Sequence, residues 1–545
     1  MRIINVVLFV RLICLMNVVC FTTSCRKADI QNISFEELSA VNNEVNVLDF
    51  RDSSINDHDM IQKAIDYAKS NSIYHVFIPD GTYMISATSA TGQAGLVLRD
   101  SIALRLGNNA ILKAISNGSG AYAIVKIHNV RNVSISGGKI VGDRLTHIGT
   151  FGEWGMGIEI RNSTWINLNN LTVKECWGDG IYIAGGATHV TLDSIFADNN
   201  RRQGMSVINA KELLVTNSEF NNTNGVAPES GIDLEPNAGD SISGVRIVNC
   251  AFRNNNGLGL HMYGNFGPVT DISIENCQMT NNPIGLSLRY QGVRDVEIKD
   301  VTISQSASEG FRVFDGSYDI SASNVKIYQS PMTAIRFQNS RDITLVGAEL
   351  DSFSVGMNVV NVGQLLVKNT SLKAKLSTAS GILLNNSDTL LFDNVDLIGG
   401  KDGLRTSGVN YLRFLNGSIS DFLEYGCFLG NTHFSLFEGN IISNNRKTPF
   451  YFTSSHDNEF KNNELLNNCF LINNNYSQFN LEGASKRNVF QSNIARTSSY
   501  ANKPKYVIRL SSSTQGNQVF GNTFEPGSYV TAGAIDETGG LNSIF

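Results

Sequence analysis

An all-β solenoid is the fold this sequence predicts, and three observations predict it. A short phrase built on glycine recurs at near-even spacing. The stretches between these glycines alternate apolar and polar residues with period two. Asn and Gly, rather than Pro, mark the corners: the 545 residues hold 49 glycines and only 9 prolines. The phrase is Gly, apolar, variable, apolar, as in Gly157-Ile-Glu-Ile, Gly180-Ile-Tyr-Ile, Gly204-Met-Ser-Val, Gly231-Ile-Asp-Leu, Gly259-Leu-His-Met, Gly285-Leu-Ser-Leu and Gly310-Phe-Arg-Val. It continues at Ala334, Gly356, Gly381, Gly403 and Gly426, with intervals of 22–28 residues. Units this short cannot fold alone, because each leaves apolar faces and strand edges that only the next unit covers. The expected result is a single-stranded right-handed parallel β-helix. Leucine-rich repeats share the period, but their Leu-x-x-Leu-x-Leu spacing is missing, and a propeller needs larger four-stranded blades.

Taken in order, the chain opens with Arg2 and an apolar run to Phe21, then Thr22-Thr23-Ser24-Cys25. This reads as a signal peptide over 1–24. Ser24-Cys25 resembles the end of a bacterial lipobox, with Thr22 where that motif has Leu, which implies a lipid on Cys25; ordinary signal cleavage is the alternative. Export follows, to the outer membrane or cell surface as a lipoprotein or otherwise to the periplasm or medium, with membrane contact only through that lipid. Residues 25–44 are read as a tether. Asp57–Lys69 is an amphipathic helix, with acids near its start and Ile61, Ala64, Ile65 and Ala68 on one face. It would cap the open end of the solenoid, where bare strand edges would otherwise face water. His75–Tyr83 reads as one strand. The coils extend through 45–530, more loosely after Gly426, and 531–545 reads as a tail.

Composition narrows the partners. A hydrophobic share of 42% excludes a disordered chain, and a net charge of −6 offers no basic footprint for nucleic acid. Of eight cysteines, three lie in the leader region and the rest are scattered without zinc-type spacing. Cys250 and Cys277 hold matching repeat positions, compatible with either one bridge or a ladder of buried thiols.

On a strand, alternate residues face opposite sides. Positions one and three after each glycine are apolar and face the core. Positions two and four then face outward and stack across coils at about 4.8 Å per step. The first outward column reads Glu159, Tyr182, Ser206, Asp233, His261, Ser287, Arg312, Arg336. The second reads Arg161, Ala184, Ile208, Glu235, Tyr263, Arg289, Phe314, Gln338. Asp233 and Glu235 share one face of one strand, so mutual repulsion makes one hold its proton longer. One could then protonate a glycosidic oxygen while the other activates water or attacks the sugar. His261 stacks beside Asp233 and is expected to assist. Arg289, Arg312 and Arg336, with Arg202 from a turn, suit the carboxylate or sulfate of an acidic glycan, unless they are spent on Asp233, Glu235 and Asp315. Tyr182, Trp154, Trp177 and Tyr263 are candidates for stacking on sugars. Trp154 lies in the loop 142–156, which also carries His147 and Glu153 and could wall a groove. Asp179, with Trp177 in the turn before Gly180, is a further candidate for contacting the substrate.

Val47-Leu-Asp-Phe, the helix 57–69 and Phe77-Ile-Pro-Asp-Gly-Thr-Tyr83 resemble the opening of pectate-lyase-superfamily β-helix proteins. Gly152-Glu-Trp-Gly-Met-Gly157, Trp177-Gly-Asp-Gly-Ile181 and Asn199-Asn-Arg-Arg-Gln-Gly204 resemble their secreted bacterial members. That fold hosts lyases, hydrolases, epimerases and binding proteins. Gly231-Ile-Asp-Leu-Glu is similar to the Gly-Phe-Asp-Pro-His segment of alginate C5-epimerases; Asp233 falls on their catalytic Asp, and Glu235 replaces their His. Asp179 resembles the first Asp of the polygalacturonase motif, but Arg202 and Gln203 stand where its paired acids would be. The acid cluster of a pectate-lyase calcium site is not assembled, so no cofactor is expected, with a divalent cation left open. The reading is a hydrolase acting on a polysaccharide. The rivals are a lyase or epimerase using His261 and Tyr263 with arginine neutralisation, and a non-catalytic glycan-binding solenoid.

Overall fold

In the computed structural model the described residues wind into about 18 turns of parallel β-helix, with one α-helix among them at the N-terminal end. The structure describes residues 44–88, 94–531, 533–538 and 541–545. The expected signal peptide 1–24, the lipidated Cys25 and the tether up to residue 43 lie outside the described residues. No helix among the described residues is long and apolar enough to cross a membrane.

Each coil contributes one strand to each of three walls. On the first wall Ser230–Leu234 pairs with Leu258–Tyr263, which pairs with Ile284–Arg289. On the second, Ile242–Val248 pairs with Val269–Glu275, and on the third Ala251–Arg253 pairs with Gln278–Thr280. All these pairings are parallel. The repeat glycine has a steric cause. A Cβ built on Gly204, Gly231 or Gly259 would lie 2.5–2.6 Å from the carbonyl oxygen of the next repeat glycine, so a side chain there would push the coils apart. Positions one and three after the glycines are buried as expected, among them Ile158, Ile160, Ile232, Leu234, Phe311 and Val313.

The paired asparagines divide the work at the corners. Asn254 and Asn281 take left-handed backbone (φ 58° and 55°), which Asn tolerates better than most residues. The following Asn255 and Asn282 turn inward and bridge the stack: Asn255 Nδ2 donates to Phe220 O at 3.1 Å and to Asn282 Oδ1 at 3.0 Å. The same ladder recurs at the other end as Asn440, Asn463 and Asn493. There Asn463 accepts from the Asn440 backbone N–H and donates to Phe437 O and Asn493 Oδ1. Asn463→Ala removes all of these from a buried corner and should lower stability by about 1–3 kcal/mol, read as the shift of the unfolding midpoint. Cys250 and Cys277 are free and buried. Each thiol lies 3.3 Å from the carbonyl two residues back in its own coil, Val248 O and Glu275 O, and within reach of one in the preceding coil, Val215 O at 3.7 Å and Ile247 O at 3.5 Å, so the ladder of buried thiols is what forms.

The helix α1 spans Asp57–Ser70, capped by Asn56, whose side chain accepts from the Asp59 N–H. Met60, Ile61, Ala64, Ile65 and Ala68 are buried. Gln62 shows how the cap works: its amide both accepts from Val97 N (2.9 Å) and donates to Val97 O (3.1 Å), closing the backbone of strand Leu96–Val97. Two boundaries differ from expectation. His75–Tyr83 is two strands, His75–Ile78 and Gly81–Ile85, split at Pro79-Asp80, where proline has no N–H to give the ladder. The coil also does not end at 530: Ile535–Glu537 pairs with Tyr506–Leu510, and Ser543–Ile544 with Gln518–Phe520. These strands lack the glycine phrase and are too short to show alternation.

Candidate functional site

Both outward columns stack in register along the first wall. Ser206 pairs with Asp233, Asp233 with His261, His261 with Ser287, and Tyr263 with Arg289. Asp233 and His261 face away from the core yet are not open to water, at 1% and 8% exposure. The expectation of a solvated outward row is therefore corrected at Ser206, Asp233, His261 and Ser287, which are buried, whereas Glu159, Tyr182, Glu235, Tyr263, Arg289, Arg312 and Arg336 keep partial exposure. Gln203 supplies part of the cover, donating from Nε2 to Asp233 Oδ2 at 2.8 Å while its Oε1 accepts from Ser230 N.

Four carboxyl groups gather around one guanidinium. Asp179 is fully buried and accepts from Arg202 Nη1 at 3.0 and 3.3 Å. Arg202 also feels Glu153, Asp233 and Glu235. One cation cannot neutralise four acids, two of them buried, so protons are retained. Burial, reinforced by the charge of Asp233, pushes the Glu235 carboxyl up to about 7 against the opposing pull of Arg202 and His261. Burial likewise raises Asp179 to about 6, with Arg202 holding it down. His261 Nδ1 lies 3.2 Å from Asp233 Oδ1, but the two are not aligned for a hydrogen bond. Both ring nitrogens of His261, Asp233 Oδ1 and the hydroxyls of Ser206 and Ser230 are buried without hydrogen-bond partners among the described residues.

The structure sorts the other expected residues. Tyr263 joins the site's far edge, 5.5 Å from His261 ring to ring and edge-on to Tyr290 at 4.8 Å. Tyr182 lies at the near edge under the Arg161 guanidinium, 4.9 Å from its ring. Arg161 and His128 also bind Glu159; these bonds outweigh the burial that would raise it and hold Glu159 at about 2. Trp154 is half exposed and begins the strand after the loop. That loop does flank the acids, with Glu153 Oε2 4.0 Å from Arg202 Nε. Trp177 is corrected: both its faces are covered, by His147 at 3.8 Å and Arg201 at 3.7 Å. It is a post for the loop, not a sugar platform. His147 is in turn held by the buried Asp143 at 2.9 Å.

The arginine block forms, but as a separate patch. Arg289 donates to Asp315 at 2.7 Å, Arg312 to Ser287 and Glu309, and Arg336 to Glu309 and Gln338. Their acids are Asp315 and Glu309, not Asp233 or Glu235. Gln203 and Glu309 were missed as contributors. Both directly precede a repeat glycine, as Asp179 and Asp402 do, and the bend there brings that position beside the outward column. No group of three or more His, Cys, Asp or Glu side chains among the described residues is arranged to hold a metal ion.

A family model described as the right handed beta helix region matches residues 67–231, 155–292 and 372–524. The chain belongs to this right-handed β-helix family. The β-helix is also similar to the uncharacterized protein YclG of Bacillus subtilis, 23% identical over 412 residues, covering 69% of this chain and 67% of that one. A second relative, the SPbeta prophage-derived uncharacterized protein YorA of Bacillus subtilis, is 25% identical over 303 residues, 46% of this chain and about half (51%) of its own length. Among solved structures, a hyperthermoactive exopolygalacturonase of Thermotoga maritima is 12% identical with a TM-score of 0.45, over 60% of this chain and 92% of that one. The fold is shared by glycosidases, an epimerase and a surface adhesin. At these identities the likeness concerns the fold alone.

Proposed function

We propose that this β-helix cleaves an acidic polysaccharide by glycoside hydrolysis. The observation that carries the reading is Glu235: a carboxyl that keeps its proton to about 7, next to the buried Asp233 on the same strand. Two carboxyl groups in unlike environments divide into acid and base. Glu235 gives its proton to the glycosidic oxygen as the bond to the anomeric carbon breaks. Asp233, held by Gln203, either takes a proton from the attacking water or bonds to that carbon itself, water then completing the hydrolysis. His261 borders Asp233 and assists there, while Tyr182, Trp154 and Tyr263 flank the acids along the wall. The arginine patch would hold acidic groups of the polymer beyond Tyr263.

Digesting a panel of pectic, alginate, sulfated and host glycans in ¹⁸O-water tests the reaction class. Hydrolysis puts one ¹⁸O into each new reducing end and yields no unsaturated-uronate absorbance. A second reading draws on His261, whose imidazole has no hydrogen-bond partner among the described residues and which lies near Tyr263. These groups could abstract the C5 proton of a uronate and protonate the departing oxygen or the opposite face of the sugar. Unlabelled products with rising ultraviolet absorbance would select the lyase, a changed uronate without cleavage the epimerase, and binding without turnover an adhesive module. The pH profile is a further check on hydrolysis. Since the protonated form of Glu235 is the working one, kcat/KM should fall as pH rises through about 7.

A further inference from the structure

Beyond the arginine patch the first wall carries a cleft of about 740 Å³, lined in part by Ser380, Asn385, Lys401, Arg405, Ser407 and Thr453. Seven register steps separate Asp233 from Arg405, through His261, Ser287, Arg312, Arg336, Asn358 and Leu383. At about 4.8 Å per step this is roughly 34 Å along the same face. Arg405 is propped from two sides. Its Nη1 donates to Asp402 Oδ2 at 2.8 Å, and Asp402 is buried. Its guanidinium carbon lies over Phe428, 4.2 Å from the ring centre, and Phe428 in turn stacks on Tyr451 at 5.2 Å and 17°. Tyr451 is tied down by its hydroxyl, which donates to Glu482. A guanidinium fixed in this way loses little freedom on binding an anion. Lys401 is exposed beside it and pairs with no acid among the described residues. The rest of the lining is hydroxyl and amide, the chemistry that meets sugar hydroxyls, with Leu383 as an apolar patch.

We propose that this cleft is a second, non-catalytic subsite for an anionic oligosaccharide, in which Arg405 and Lys401 take a carboxylate or sulfate of the sugar and Asn385, Ser407 and Thr453 take its hydroxyls. That the anion belongs to a glycan rests on the hydrolase reading; that the cleft binds an anion does not. A polymer lying along the wall would engage both places at once, so the distal hold raises the local concentration of chain at Glu235.

The test is calorimetric titration of tetragalacturonate and its methyl ester into the full chain carrying Glu235→Gln, so that ligand is not consumed, with and without Lys401→Gln and Arg405→Gln. The acid should lose affinity at one binding event by about tenfold or more in the added variants, as expected for charge-assisted hydrogen bonds, and the ester should show no such difference. Arg405→Lys, which keeps the charge but not the fork, serves if the glutamine variant unfolds, and should lose part of the affinity. Undiminished binding of the acid, equal binding of the ester, or no binding of either overturns the subsite. On otherwise wild-type protein, Lys401→Gln with Arg405→Gln should leave kcat on short substrates unchanged and raise KM only on long polymer. Lost distal binding in a protein that turns over no glycan upholds the subsite and refutes the hydrolase.

Discussion

Glu235→Gln is expected to lower kcat by about 10²–10⁴-fold, the contribution typical of a positioned general acid, while the far-ultraviolet spectrum and thermal midpoint stay near wild type. Gln keeps the size and the hydrogen-bonding reach of the side chain but cannot hold the transferable proton. It also relieves the crowding of acids around Arg202, so no structural penalty competes with the catalytic one. Asp233→Asn should be comparably damaging for a different reason. The buried carboxylate supplies the negative charge that attacks or activates water, and Asn removes that charge while still accepting from Gln203. The two losses should not multiply, because groups that act as a unit are not additive. Steady-state kinetics on whichever glycan is cleaved measures both. Turnover left intact in either variant would remove the paired-carboxylate mechanism.

Arg202→Met is expected to destabilise the fold by about 3–5 kcal/mol at neutral pH, the cost of stranding a buried partner. Asp179 has no exposure at all, and the guanidinium of Arg202 is what opposes its burial. The pH dependence has a definite sign. An acid whose folded value is raised, here from 3.8 to about 6, binds more protons folded than unfolded, so stability falls as pH rises across that window. For Asp179 this already amounts to roughly 3 kcal/mol above pH 6. Without Arg202 the shift grows, so the variant's deficit should be largest at neutral pH and shrink on acidification. Adding Asp179→Asn should restore most of it. The three tryptophans, Trp154, Trp165 and Trp177, all lie in these coils, so urea unfolding followed by their fluorescence reports on the affected region. A deficit under about 1 kcal/mol, well short of a buried pair, or one independent of pH, would mean that Arg202 does not support Asp179.

The coil was legible in the sequence because its constraints are local and repeat. Each glycine answers a carbonyl one coil away, and each Asn pair answers one corner. The outward columns were legible for the same reason, since period two decides which way Asp233, Glu235, His261 and Tyr263 point. What the sequence hid is what covers those columns. The burial of Asp233, the two-sided packing of Trp177 between His147 and Arg201, and the service of Gln203 and Glu309 all come from residues two to five dozen positions apart, or from the bend before each glycine. The strand break at Pro79 was written in the sequence and under-read, whereas the last coil carries no phrase to read. The arginines show the limit of column counting: it placed Arg289, Arg312 and Arg336 together but could not tell that Asp315 and Glu309, rather than the central acids, hold them.

The central claim is that this wall keeps a carboxyl protonated at neutrality beside a buried carboxylate. Infrared difference spectroscopy of the protonated carboxyl stretch, followed through a pH titration, measures it without knowledge of the substrate. The account predicts two steps in the wild-type protein, one near 6 from Asp179 and one near 7 from Glu235, of which only the step near 7 is missing in Glu235→Gln. A wild-type protein whose carboxyl bands have all vanished by the ordinary glutamate range, about 4.3, or whose step near 7 survives Glu235→Gln, would contradict it.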